Sequence, residues 1–241
     1  MKIDVIFCPV TVDELYFTNR TTVVIDVLRA SSVITTALQN GAKEIIPVAN
    51  VEFAVKLSGG MFGGQTLLGG ERHTKKIEGF ALGNSPLEYT HEIVGGKSIV
   101  LYTTNGTKAI AKAKFSENLF ICSFLNLSAL TKHLVELKKD FVIICSGRAN
   151  HFSLEDTICA GKLISEISET IVDNELSDSA KASLILCQSF SGDILEMFKN
   201  SEHGKILMNN GFEEDLIFCS RVNSTDALPI LSGNAIKLFN K

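Results

Sequence analysis

The chain has 241 residues, of which 45% are hydrophobic and 21% charged, and its formal net charge is −4. That is enough apolar material for a sizeable core in one large unit or two small ones, and no apolar run approaches the roughly 20 residues that span a bilayer. The acidic balance argues against a nucleic-acid coat, because a phosphate backbone demands a basic face; neither nucleic acid nor a membrane is an expected partner.

The chain opens MKIDVIFCP, with an acid at the fourth position and a proline soon after. This reads as a first strand over residues 3–7 and a turn, not as a signal peptide, so the cytoplasm is the expected location. A second strand is predicted over 22–27. Ser31 and Ser32 are candidate caps for a helix running to Asn40, where Gly41 ends it in the left-handed conformation. A strand follows at 44–47. The glycine-rich residues 58–70 are expected to form a loop. Further strands are predicted over 98–102, 119–123 and 141–145, with an amphipathic helix from Asn126 or Ser128 to near Lys139. Ser153 precedes Leu154-Glu155-Asp156, a helix start with acids in its first turn. Asp178 and Ser179 open a longer helix reaching Lys199, and a last strand is expected near 215–219.

Apolar strands alternating with helices indicate an α/β fold: a parallel or mixed sheet with helices on both faces, in three α/β/α layers. Strands that are apolar throughout fit a sheet covered on both sides. No Pro- or Ser-rich linker divides the chain, so a single domain over 1–241 is expected. Residues 23–30 (VVIDVLRA) echo residues 142–149 (VIICSGRA); chance and an ancient internal duplication both account for this. The six cysteines are scattered singly with no C-x-x-C pair. They read as reduced, small core residues.

In open α/β sheets the ligand lies beyond the carboxyl ends of the strands. Three strand-to-helix junctions carry polar residues there: Asp26 with Arg29; Thr103-Thr104-Asn105-Gly106-Thr107; and Gly147-Arg148 followed by Glu155-Asp156. Glu71-Arg72, after the glycine-rich stretch, is a fourth. Arginine offers a planar fork that matches phosphate. Asp26 stands out, because a carboxylate in a buried strand is costly unless paired. It is either the partner of Arg29 or Arg148, or a metal ligand or active-site base. Magnesium takes one or two carboxylates and keeps several waters, so widely separated Asp26, Glu71, Glu155 and Asp156 can supply a site. The five histidines form no metal-ligand spacing and read as surface or capping residues, His151 being the one nearest a junction.

Absences narrow the chemistry. There is no G-x-x-x-x-G-K-[ST] loop and no G-x-G-x-x-G turn. Arg148 follows Cys145 by three residues, where a cysteine phosphatase loop needs six. Leu28 stands where an aspartyl-phosphate motif would place its second aspartate. Metal-assisted attack by water remains.

The blocks 24–42 (VIDVLRASSVITTALQNGA), 70–86 (GERHTKKIEGFALGNSP), 103–107 (TTNGT) and 153–161 (SLEDTICAG) resemble the 2-phosphosulfolactate phosphatase family. His203-Gly204-Lys205, Gly211-Phe212 and residues 215–219 resemble it too. The chain departs from the family at Ala81, where an aspartate is common, and at Asn223, where an acid is often found. The resemblance implies a magnesium-dependent hydrolase (Mg2+ as cofactor) that converts 2-phosphosulfolactate to sulfolactate and phosphate, a step in coenzyme M biosynthesis. It implies a site drawing on Asp26, Arg29, Glu71, Arg72, Asn84, Ser85, Thr104, Asn105, Arg148, Glu155 and Asp156. Asp26, Glu71 and Asp156 are the expected catalytic residues. Those three and Glu155 are the candidate metal ligands, and the others contact a small anionic phosphate ester. Another phospho-hydroxyacid, a sugar phosphate or a nucleotide is the alternative substrate, and a non-catalytic binder of a phosphorylated metabolite is the alternative function. The oligomeric state stays open, with a homodimer the commonest assembly.

Overall fold

The computed structural model describes residues 1–60, 66–190 and 192–239. Among them run eleven strands: β1 (Lys2–Ile6), β2 (Thr21–Ile25), β3 (Glu44–Pro47), β4 (Thr66–Arg72), β5 (Lys75–Lys76), β6 (Ser98–Tyr102), β7 (Asn118–Cys122), β8 (Phe141–Cys145), β9 (Glu175–Leu176), β10 (Pro229–Ser232) and β11 (Ala235–Leu238). The α-helices are α1 (Ala30–Gln39), α2 (Val51–Gly60), α3 (His91–Val94), α4 (Gly106–Lys112), α5 (Leu127–Leu137), α6 (Leu154–Ser168), α7 (Asp178–Ser189), α8 (Ile194–Asn200), α9 (Glu202–Asn209) and α10 (Glu213–Cys219). No helix among the described residues is long and apolar enough to cross a membrane.

The strands form one mixed sheet in the order β5-β4-β6-β3-β11-β10-β7-β2-β8-β1-β9. Strands β4, β6 and β3 are parallel, as are β7, β2, β8, β1 and β9. The antiparallel β10–β11 hairpin joins the two sets, pairing Ile236 with Ile45 and Ile230 with Phe120. Strands β6 and β2 lie five places apart in this order, which would be about 24 Å in a flat sheet. Yet a Cβ built on Gly106, at the start of α4, would lie 2.5 Å from Asp26 Oδ2 and 2.5 Å from Ala30 Cβ. The sheet therefore bends until the ends of its two halves meet.

Helix α1 fills the bend, and every residue from Ala30 to Leu38 is buried. Its Val33 and Ile34 share one core with Val24, Ile45, Ile99, Ile121, Ile144 and Ile236, drawn from both halves of the sheet. On the opposite face Val23, Ile25, Ile143 and Cys145 pack against Leu130 and Leu134 of α5, Ile158 of α6 and Ala180 of α7. Strand β2 is buried at all five positions, so neither face of it meets water and its apolar run needs no polar alternation.

Several sequence expectations are corrected. Residues 215–219 belong to helix α10, not to a strand; the acids of its first turn, Glu213, Glu214 and Asp215, suit the positive end of a helix. Ser31 and Ser32 lie inside α1 rather than capping it: Ser31 Oγ accepts from the Asp26 amide at 2.8 Å, and Ser32 Oγ donates to the Val27 carbonyl at 2.9 Å. The helix predicted to reach Lys199 divides into α7 and α8, because Asp193 caps a new start by accepting from the Leu195 and Glu196 amides. The predicted loop over 58–70 is partly helix α2 and partly strand β4, while 61–65 lie outside the described residues. Strands β2 and β8, the source of the internal echo, are neighbours in the sheet, but pair Val23 with Ile143 rather than with Val142. The cysteines are free, and all but the half-exposed Cys187 are buried.

Helices α6 and α7 meet at Gly161, where an added Cβ would overlap the Ser183 carbonyl. In an open helix Gly→Ala gains about 1 kcal/mol; here Gly161→Ala is expected to destabilise by about 1–3 kcal/mol, the range for overpacking. Denaturant unfolding decides the sign, and a variant more stable than wild type contradicts the tight contact.

Candidate active site

The bend brings the carboxyl ends of β2, β4, β6 and β8 to one cavity of about 240 Å³. Seven residues singled out in the sequence line it: Asp26, Arg29, Glu71, Asn84, Thr104, Asn105 and Arg148. Ser85, Glu155 and Asp156 are buried beside or behind it, whereas Arg72 is exposed and does not line it. His73, Thr74 and His203 complete much of the wall. None of the three was among the expected site residues.

Asp26 follows the last residue of β2 and is 6% exposed. Its Oδ1 accepts from the Ala30 amide at 3.4 Å. Neither arginine neutralises it: Arg29 pairs with Asp215 at 2.5 Å and Arg148 with Glu202 at 2.7 Å. Burial, reinforced by the charge of Glu71, raises its pKa to about 6 against the opposing pull of His203 and the Ala30 amide. The ion-pair alternative for Asp26 therefore has no partner among the described residues.

Glu71 is held rigidly. Its Oε1 accepts from the Thr104 amide and its Oε2 from the Thr74 amide, each at 2.7 Å, so one carboxylate ties the end of β4 to the loop after β6. Asp156 does the same for the other half of the sheet. It accepts from the Val27 amide at 2.9 Å, Ser146 Oγ at 3.0 Å and the Gly147 amide at 3.2 Å. Burial, then the charges of Asp26 and Glu155, push its pKa well up. Asp156 thus braces the loops behind the cavity. Glu155 turns toward α9, its Oε1 3.4 Å from His203 Nδ1. Burial alone would raise the Glu155 pKa, but the hydrogen bond and charge of His203 bring it below its ordinary value.

The arginines differ. Arg29 is buried, donating to Asp215 and to the Thr74 carbonyl (3.0 Å), with its guanidinium 4.2 Å from the Phe212 ring centroid. Ser85 Oγ donates to the other oxygen of Asp215 at 2.5 Å. Arg148 is a third exposed and flanked by the left-handed Ala149 and Asn150. The two arginines thus stand in different surroundings, despite the sequence echo that aligned them.

The polar wall has spare capacity. Asn84 Oδ1, Thr74 Oγ1 and Thr104 Oγ1 are buried without a hydrogen-bond partner among the described residues, a state that costs about 1–3 kcal/mol each unless something binds there. Among the described residues no three acidic, histidine or cysteine side chains form a ready metal cluster. Magnesium asks for less than that. Asp26 and Glu71 face one cavity with neither in an ion pair among the described residues, and with unpartnered oxygens nearby, which is a donor set of the hard kind that magnesium prefers.

Because Asp26 binds its proton more tightly in the fold than in the unfolded chain, it stabilises the protein below about pH 4 and loses that contribution as pH rises through about 6. Metal-free Asp26→Asn should therefore melt higher than wild type at neutral pH, by on the order of 2 kcal/mol, with the gap closing near pH 4. Melting curves at both pH values check this, and a lower-melting variant at neutral pH restores the ion-pair reading.

Over residues 7–234 the chain matches the family model described as 2-phosphosulpholactate phosphatase. It is 44% identical to a probable 2-phosphosulfolactate phosphatase of Clostridium perfringens, over 98% of this chain and 96% of that protein. Similarly named proteins of Caldanaerobacter subterraneus and Thermotoga petrophila are each 42% identical, covering 91% and 95% of this chain and 90% and 95% of their own lengths. With the match running across both halves of the sheet and every strand that feeds the cavity, the chain belongs to the 2-phosphosulpholactate phosphatase family.

Proposed function

We propose that this protein is a magnesium-dependent phosphatase that hydrolyses 2-phosphosulfolactate to sulfolactate and phosphate, the reaction that supplies coenzyme M biosynthesis. The observation that carries the reading is the make-up of the cavity. Two carboxylates, two arginines and unpartnered polar atoms converge in about 240 Å³, a size suited to a three-carbon ester. The names of the relatives point to the same substrate.

Asp26 and Glu71 would hold the magnesium, which would supply positive charge against the phosphoryl oxygens. Glu71, fixed by two amides, gives its carboxylate a set direction. Asp26, opposite Gly106, orients the attacking water. Arg148, being partly exposed, can close on an incoming anionic group, while Arg29 presents a guanidinium already immobilised by Asp215 and the Thr74 carbonyl. The Thr104 hydroxyl has free bonding capacity for a substrate oxygen, and the unpartnered Asn84 Oδ1 can accept from a donor. Asp156 keeps the loops after β2 and β8 in register without reaching the substrate. In phosphoryl transfer this division is sufficient, because positioning and electrostatics carry most of the catalysis.

Phosphate release from 2-phosphosulfolactate should cease on chelation and return with magnesium, and the same assay with 2-phospholactate and sugar phosphates should give lower kcat/KM. Full turnover by the metal-free protein rejects the metal assignment, and a preference for another ester replaces the substrate. Arg148→Lys keeps charge but loses the fork, so KM should rise on the order of tenfold with kcat little changed. A fall in kcat at constant KM would instead place Arg148 at the transition state.

A further inference from the structure

The reaction leaves an alkoxide on the three-carbon skeleton, and an alkoxide is a poor leaving group unless it is protonated as the bond breaks. Among the described residues lining the cavity, the arginines do not release protons, and on the reading above Asp26 and Glu71 are taken up by the cation. Two imidazoles remain. His73 is exposed, on the turn between β4 and β5. His203 has a side chain only 14% exposed, with Nδ1 3.4 Å from the buried Glu155 Oε1. One ring nitrogen is thereby engaged with a carboxylate, and the other is left for the cavity that His203 lines.

The backbone around His203 is fixed as well. Ser201 ends α8 and caps α9, donating to the Phe198 carbonyl and accepting from the Gly204 amide, both at 3.0 Å. A Cβ on Gly204 would overlap that same Phe198 carbonyl, so the two short helices touch backbone to backbone. A carboxylate on one imidazole nitrogen sets the ring's tautomer and orientation.

Resting on the phosphatase reading above, we infer that His203 is the general acid of the reaction, with Glu155 its positioning residue. Water's oxygen bonds to phosphorus, and both of its protons stay with the phosphate. The ester P–O bond breaks, its electron pair remains on the ester oxygen, and that oxygen takes the Nε2 proton of His203. Dihydrogen phosphate then returns one proton to the ring, closing the cycle without another reactant.

Leaving-group dependence separates this role from a structural one. Three esters are compared on wild type, His203→Gln and Glu155→Gln: 2-phosphosulfolactate, p-nitrophenyl phosphate and acetyl phosphate, the last two releasing groups that need no proton. His203→Gln should lower kcat on 2-phosphosulfolactate by about 100-fold or more while changing the activated esters by less than about fivefold. Glu155→Gln should show the same selectivity at smaller size. An equal loss on all three esters, or no loss on any, overturns the assignment. If wild type turns over only 2-phosphosulfolactate, a fall in kcat with unchanged KM and unchanged affinity for inorganic phosphate supports it, and a raised KM overturns it. Absence of turnover by wild type on every ester removes the phosphatase reading itself, an outcome distinct from failure of the general-acid role.

Discussion

In a flat sheet the ends of β2 and β6 would be about 24 Å apart, and in this fold the residues just beyond them touch. The β10–β11 hairpin stands in the middle of that path, joining two parallel sets through antiparallel strands that pair Ile230 with Phe120 and Ile236 with Ile45. Once the sheet turns, α1 has an enclosed groove to fill, and its serines and threonines must bury along with its aliphatic residues. Asp26 and Glu71, from opposite halves, then confront each other across one cavity. The charge of Glu71 that adds to burial in raising the Asp26 pKa follows from that approach.

Charge is disposed unevenly around the cavity. Asp215 holds Arg29 and is itself held by Ser85, so the most buried cation is neutralised before any ligand arrives. Among the described residues Asp26 and Glu71 have no such ion pair. On the proposed reading the wall nearest them takes a cation, and Arg148, whose partner Glu202 is exposed, takes an anion. A phosphate ester bound with a divalent ion satisfies both at once, which neither a simple anion nor a simple cation does.

Much of this was legible in the chain. Strands β3, β6 and β8 match the expected bounds because their apolar, β-branched runs are cleanly punctuated, and the α6 start is marked by Ser153 and the two acids after it. Strand β4 was hidden because Gly69-Gly70 reads as loop, whereas the fold uses those positions for close approach: a Cβ on Gly69 or Gly70 would overlap Tyr89 or the Tyr102 backbone. The central hairpin carried a signal that went unread, a two-residue Gly233-Asn234 turn between apolar runs, with Gly233 at φ +62°. Helix α10 was missed because a run such as Leu216-Ile217-Phe218 suits a buried strand or a short helix equally. The site's carboxylates were found at strand ends, but His203 and Asp215 were not, since nothing in their spacing foretells a partner 48 or 186 residues away. Asn223, where the resemblance leads one to expect an acid, caps α5 by accepting from the Ser128 amide at 2.7 Å.

The position of the β10–β11 hairpin also bears on biosynthesis. These strands come last in chain order yet stand in the middle of the sheet. Until the ribosome has delivered residues 229–238, β3 and β7 each present an unpaired edge, and the groove around α1 stays open. Such edges invite pairing with other chains. A chain whose other strands have formed before residues 229–238 are in place therefore holds two half-sheets that only this hairpin can join, and its unpaired edges are open to misassembly for that interval.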